Sequence, residues 1–336
     1  MPPGLLLVIA AGIMQGSFAT PMKRTTGWAW EHTWLVWSVT ALIAAPLGMA
    51  FVSIPDFWEV YAQTSPRLIV LVAVFGFVWG ISGVMFGQGV ARVGLALTFG
   101  IILGMSSALG SLIPLFSLHS EELLTRTGLL TLAGVFLQTL GVIACAAAGR
   151  RREQYDAADK KGSMTVGLLI CLVSGLMAPM LNVGLAYGAD IVAAAERMGA
   201  AKVDAVNAIW PLLFGSGFLA NGGYCWYQLS KNAHWDKFVR VRPAANLGWA
   251  VFMGLLWIGG YFLYGYGSQQ LGPLGVVLGW PIMMSSMVLT GGGWGAITGE
   301  WKGAPRSAKR WMTIGVLLLI IGIAVIGVAS RPVAAV

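Results

Sequence analysis

Charge is what this sequence has least of. Only 10% of its 336 residues are Asp, Glu, Lys or Arg, where a water-soluble domain carries about a quarter. With 57% apolar residues and a mean hydropathy of +0.77, the chain holds more apolar surface than one aqueous core can bury, so lipid is its natural solvent. Cysteine is nearly absent. Cys145, Cys171 and Cys225 lie inside apolar runs with no CxxC spacing, which argues against a disulfide framework. The histidines, His32, His119 and His234, are scattered without ligand spacing, so neither a metal nor a cofactor is expected. A reactive constellation of His, Cys, Asp or Ser is also missing, which counts against a membrane-embedded enzyme.

What the chain does have fits a membrane. Its 46 Gly allow close helix packing and its 15 Trp suit helix ends at the interface. The basic excess, +8 at neutral pH, sits in short runs between long apolar stretches, the pattern of cytoplasmic loops rather than of a nucleic-acid surface. A hydrocarbon core of ~30 Å takes ~20 apolar residues in a helix. That ruler places spans at 4–22, 33–54, 68–90, 94–117, 127–148, 164–188, 205–229, 246–268, 273–297 and 311–329.

Most of the 21 Lys and Arg then fall in the loops after spans one, three, five, seven and nine. Those loops are expected in the cytoplasm and both termini outside. Arg150, Arg151, Arg152, Lys160 and Lys161 mark a midpoint linker, 149–163, between halves 1–148 and 164–336. Two consecutive five-helix halves must enter from opposite sides, so the expected fold is all-α and integral to the membrane, ten helices in two inverted repeats. The repeat shows in the residues: Trp79, Phe86, Gly87, Gly89 and Gly94 match Trp257, Tyr264, Gly265, Gly267 and Gly272 at one constant offset. Between spans six and seven an extra amphipathic stretch sets Ile191, Val192, Ala195 and Met198 against Asp190, Glu196, Arg197, Lys202 and Asp204. It reads as an outer surface helix or as a lid.

Polar side chains within spans mark candidate function. Asn207, Trp210, Phe214, Gly217, Asn221, Tyr224 and Gln228 form one face of span seven. Such groups in hydrocarbon face either a wet cavity or a neighbouring helix. Span eight adds Trp257, Tyr261 and Tyr264, span one Gln15, span three Gln88, span six Ser174 and Asn182, and span nine Trp280 followed by Pro281. Prolines 21, 114, 179, 211 and 281 lie in or near spans, where they can break helices beside a cavity. Amides, hydroxyls and aromatic faces without a central Lys or Arg suit a neutral polyol, whose CH face stacks on rings while its hydroxyls reach amides. A metabolite or drug exporter fits the same composition.

The stretch "SFATPMKRTTGWAWEHTW" (17–34), with Pro21, Lys23, Arg24, Trp28, Trp30, Glu31 and Trp34, resembles the L-rhamnose–proton symporter family of the drug/metabolite transporter superfamily. "FGFVWGI" (75–81), Asp56-Phe57-Trp58, Trp280 and "GEWKGAPR" (299–306) carry the likeness along the chain. The resemblance implies ten helices in a bacterial inner membrane, proton coupling and a deoxyhexose substrate. Lys23, Glu31 and Trp280 match it position by position. On that basis Glu31, paired with Lys23 at the cytoplasmic mouth, is expected to carry the coupling proton. Gln15, Gln88, Asn182, Asn207, Trp210, Asn221, Tyr261, Tyr264 and Trp280 are expected at the sugar.

Overall fold

In hydrocarbon, backbone N–H and C=O groups have no water to turn to, so an apolar run satisfies them within its own helix. A computed structural model describes residues 3–153 and 163–330. Among them every regular element is a helix. Within the described residues nine helical runs are long and apolar enough to cross a membrane: α1 (Pro3–Arg24), α2 (Trp30–Ser53), α3 (Pro66–Val93), α4 (Leu95–Leu118), α5 (Arg126–Arg152), α6 (Met164–Arg197), α8 (Pro243–Gln270), α9 (Gly275–Ile297) and α10 (Arg306–Ala329). The 22-residue α7 (Trp210–Lys231) lies where the seventh span was expected. Its polar stripe keeps it out of the apolar set. It starts later than expected, because 205–208 form a tight 3-10 turn ahead of Pro211.

Two helices break at prolines, whereas helices run on through Pro114 and Pro281. α1 is α-helical to Ser17 and ends in a 3-10 turn around Pro21 (Thr20–Arg24). α6 is interrupted after Met177 at Pro179, then again at Gly188, and ends in the amphipathic helix Ala189–Arg197. That helix buries Ile191, Val192, Ala194 and Ala195, close to the expected apolar side. α5 runs through Arg150, Arg151 and Arg152 to Glu153, while Lys160 and Lys161 lie outside the described residues.

Packing follows the glycines, since lipid gives no hydrophobic drive between helices and close backbone contact must supply it. α1 packs on α8 and α9, α6 on α3 and α4, α3 on α7, and α5 on α10. A Cβ on Gly80 would collide with the Gly217 carbonyl, and one on Gly76 with the Leu213 carbonyl, so α3 and α7 touch backbone to backbone. Gly80→Ala is therefore expected to cost about 1–3 kcal/mol by overpacking. Thermal melting of the detergent-purified variant checks this; a parental midpoint would mean the two backbones do not meet at Gly80.

Candidate functional site

Proline removes an N–H and leaves the carbonyl four residues earlier without its helical partner. In α4, Pro114 frees Gly110 O, and in α9, Pro281 frees Val277 O. Both are taken by side chains from other helices: Asn182 Nδ2 of α6 donates to Gly110 O at 2.8 Å, and Ser111 Oγ of α4 to Val277 O at 2.7 Å. Asn182 Nδ2 also reaches Val276 O at 3.2 Å, and its Oδ1 accepts from the Tyr264 hydroxyl of α8. Beside this knot Trp280 Nε1 donates to Ser106 O at 2.8 Å, and its ring lies 5.7 Å from that of Tyr264. Four helices are thus tied together where two of them carry an internal proline.

Above the knot opens a cavity of about 440 Å³ between the ends of α4, α6, α8 and α9, within the size range of small-molecule sites. Pro114, Val276, Val277 and Gly265 contribute to its walls from the knot; Ser268 and Gln269 add polar groups. His119, Lys202 and Val192 surround the mouth, so the amphipathic segment forms part of a wall. Nearby the Tyr61 hydroxyl donates to Ala208 O at 2.7 Å, and burial pushes that phenol well above its ordinary range.

From the knot a column of rings continues through the interior. Tyr261 lies 4.5 Å from Trp257, 5.3 Å from Phe214 and 6.0 Å from Trp210. Trp257 in turn meets Trp79 of α3 at 5.7 Å and Trp37 of α2 at 5.1 Å. Trp37 and Trp34 are 4.6 Å apart. Centroid distances of 4.5–7 Å are those of attractive aromatic pairs. Trp37 Nε1 and Trp210 Nε1 are buried there without a hydrogen-bond partner in the structure.

The expected site residues divide accordingly. Asn182, Tyr264 and Trp280 meet at the knot, and Trp210 and Tyr261 in the ring column. Gln15 is buried against that column, with Nε2 donating to Trp257 O at 2.6 Å. Asn221 bonds Gly80 O at 3.1 Å and accepts from Trp34 Nε1 at 3.4 Å. Asn207 bonds Ser53 Oγ and Tyr266 OH, with Oδ1 left over. The stripe amides are thus engaged on neighbouring helices. Gln88 is half-buried near the end of α3, its carbonyl accepting from Arg92, and does not join the other residues.

The Lys23–Glu31 pair does not form in this structure. Lys23, in the 3-10 turn after α1, points to the surface and lies 3.4 Å from Glu300, which Arg152 also meets at 3.2 Å. Glu31 sits instead in the first turn of α2, where the helix dipole favours an acid, and only 3% of it is exposed. Its Oε1 accepts from Asn232 Nδ2 at 3.4 Å and lies 3.7 Å from His234 Nδ1. His234 was missed because it stands about two hundred residues along the chain; sequence spacing gives no sign of the meeting. Phe214, Trp79 and Trp37 complete the ring column; Phe214 stands in the span-seven stripe and Trp79 in the repeat, while Trp37 has only its three-residue spacing from Trp34 as a sign.

Over residues 4–331 the chain matches the family described as L-rhamnose-proton symport protein. The chain belongs to that family. Symporters of L-rhamnose and protons from Salmonella dublin, Salmonella enteritidis PT4 and Salmonella paratyphi A are each 26% identical to it over 318 residues, covering 92% of either sequence. The L-rhamnose-proton symporter family is one of transporters, so the cavity and ring column are elements of a membrane carrier and not of an enzyme.

Proposed function

We propose that this protein takes up L-rhamnose or a close neutral deoxyhexose together with protons, by alternating access between two inverted five-helix halves in the inner membrane. The cavity above the Asn182–Tyr264–Trp280 knot carries the reading. It is an opening of sugar size with the Ser268 hydroxyl and the Gln269 amide in its lining, and behind its wall lies a column of aromatic faces of the kind that stacks a pyranose. Its mouth lies among the loops poor in Lys and Arg, which the charge distribution assigns to the outside. At the opposite end Lys23, Glu300 and Arg152 draw together the ends of α1, α5 and α9. This arrangement fits a carrier closed toward the cytoplasm.

The packing supports two inverted halves. Exchanging α1 with α6, α3 with α8 and α4 with α9 turns α1 on α8 and α9 into α6 on α3 and α4, and both sets are present. Pro114 and Pro281, each freeing a carbonyl to a side chain, stand in corresponding helices. Topology has its own test. A cysteine placed within 150–161 should label only from the cytoplasm, and one after Arg331 only from outside; labelling of both from one side sinks the inverted arrangement.

Substrate is tested by thermal shift of the purified protein against L-rhamnose, other deoxyhexoses and amino acids. Sugar at about a hundredfold over its dissociation constant should stabilise the fold by about 2.7 kcal/mol. Uptake of L-rhamnose into proteoliposomes should require an inward proton gradient. Stabilisation by none of the sugars, with export of a different solute, would favour an exporter instead.

A further inference from the structure

Beneath the ring column, at the end of the molecule away from the cavity, three ionisable side chains converge. Glu31 and His32 are adjacent on α2; His234 follows α7. Glu31 and His32 are buried at 3% and 0% exposure, whereas about a third of the His234 side chain is exposed, against 4% for the Glu31 side chain. His234 Nδ1 is itself inaccessible to water, lacks a hydrogen-bond partner, and faces Glu31 Oε1 at 3.7 Å. A closure of less than 1 Å makes this a hydrogen bond. The ring therefore presents one nitrogen to the buried carboxyl while its remaining edge reaches the surface.

The rest of the neighbourhood holds the imidazole in place. His32 Nε2 meets the His234 carbonyl at 2.9 Å, and the two rings stack at 6.2 Å. His32 also packs on Trp28 and Phe238, and Trp28 Nε1 donates to Lys237 O at 3.1 Å. These contacts pin the 232–238 turn against the start of α2. The other titratable groups around Glu31 are few. The Cys225 thiol approaches from α7, and His32 lies on α2 itself. Lys23 and Arg24, in the turn after α1, are exposed, and Lys23 is held by Glu300. No Lys or Arg forms an ion pair with Glu31 among the described residues. The one basic side chain that the described residues bring to Glu31 is therefore His234.

We propose that His234 is the proton relay of this carrier, passing the coupling proton between Glu31 and water at the cytoplasmic end. The inference rests on the proton-coupled reading of function above. When Glu31 gives up its proton, the O–H bond breaks and an N–H forms at His234 Nδ1. The imidazolium then loses the proton on Nε2 to water. The partly exposed ring turns, Nδ1 gives its proton to water as Nε2 takes one up, and the starting tautomer returns to face Glu31. Protons and charge are conserved at each step. The arrangement gives a role to a partly exposed histidine that keeps one nitrogen buried and unpartnered: that nitrogen faces the carboxyl of Glu31, which is buried.

The full-length protein in proteoliposomes tests this through L-rhamnose counterflow, which needs no net proton movement, and accumulation driven by a pH gradient. In His234→Ala counterflow should stay near the parental rate, while gradient-driven accumulation falls by about a hundredfold or more, as for loss of a positioned acid–base group. Added imidazole, small enough to enter the vacated space, should restore much of the loss; a merely structural histidine would not be rescued. His234→Gln, closer in shape, serves if the alanine variant folds poorly and should show the same loss without rescue. Accumulation at the parental level in either variant, or parallel loss of counterflow and accumulation with no imidazole rescue, overturns the relay. Should the parent exchange no L-rhamnose at all, the substrate reading fails separately. The relay is then decided by infrared pH-jump spectroscopy on the carboxyl band that Glu31→Gln removes: slower protonation of that band in His234→Ala supports it, and an unchanged rate overturns it.

Discussion

Trp257→Ala is expected to cost about 3–5 kcal/mol of stability and to remove the stabilisation given by L-rhamnose. Trp257 is 5% exposed and lies at the crossing point of the ring column, with Trp37, Trp79, Phe214 and Tyr261 all within 5.7 Å of its centroid. Three neighbouring helices meet it at once, so no single one can collapse into the space that alanine leaves. Each lost ring pair adds about 0.5–1.5 kcal/mol beyond the bare volume. The carbonyl of residue 257 still accepts from Gln15 in the variant, so the α1–α8 contact survives and the effect isolates the ring. Thermal melting gives the first number, and sugar-dependent melting separates stability from binding. Trp257→Phe should recover most of the stability and part of the sugar shift. If Trp257→Ala accumulates L-rhamnose at the parental rate, the column is packing and the sugar travels by another route.

The backbone plan of the molecule was readable because it depends on local chemistry. Apolar length set the runs, and Pro21 and Pro179 fixed where α1 and α6 lose their α-helical form. The proline rule goes further than it was taken. Pro114 and Pro281 name Gly110 O and Val277 O as carbonyls in need of a donor, and both receive one. Which donor arrives could not be read, since Asn182 lies 72 residues from Gly110 and Ser111 lies 166 from Val277. α7 shows the opposite case. Its polar face was visible as a stripe, but periodicity cannot tell an amide aimed at a ligand from one aimed at the Gly80 carbonyl.

Charge pairing was the least legible feature. Lys23 and Glu31 are eight residues apart and looked like partners, yet the 3-10 turn turns Lys23 to the surface and the first turn of α2 turns Glu31 inward. Lys23 then meets Glu300, 277 residues away. The three participants in that exposed network differ in burial, and single surface pairs of this kind contribute about 0–1 kcal/mol. They mark where the ends of α1, α5 and α9 meet and add little to holding them together.

Glu31→Gln is expected to abolish sugar-driven alkalinisation while leaving L-rhamnose exchange intact. Glutamine has the shape of the protonated acid, and its amide oxygen can still accept from Asn232 Nδ2, so the packing around α2 should persist. What the variant loses is the ability to exchange a proton with its surroundings. One proton entering down a potential of 100 mV supplies about 2.3 kcal/mol, which sustains a roughly fiftyfold sugar gradient. The variant should let that gradient decay toward unity, yet still catalyse counterflow, because the loaded carrier resembles its protonated form. A pH electrode in lightly buffered proteoliposomes reads the first effect, and labelled L-rhamnose the second. Parental alkalinisation in Glu31→Gln would place the proton on another carboxyl. The next group to replace would then be Asp204, half-buried beside Tyr266 at the cavity end, followed by the exposed Asp190.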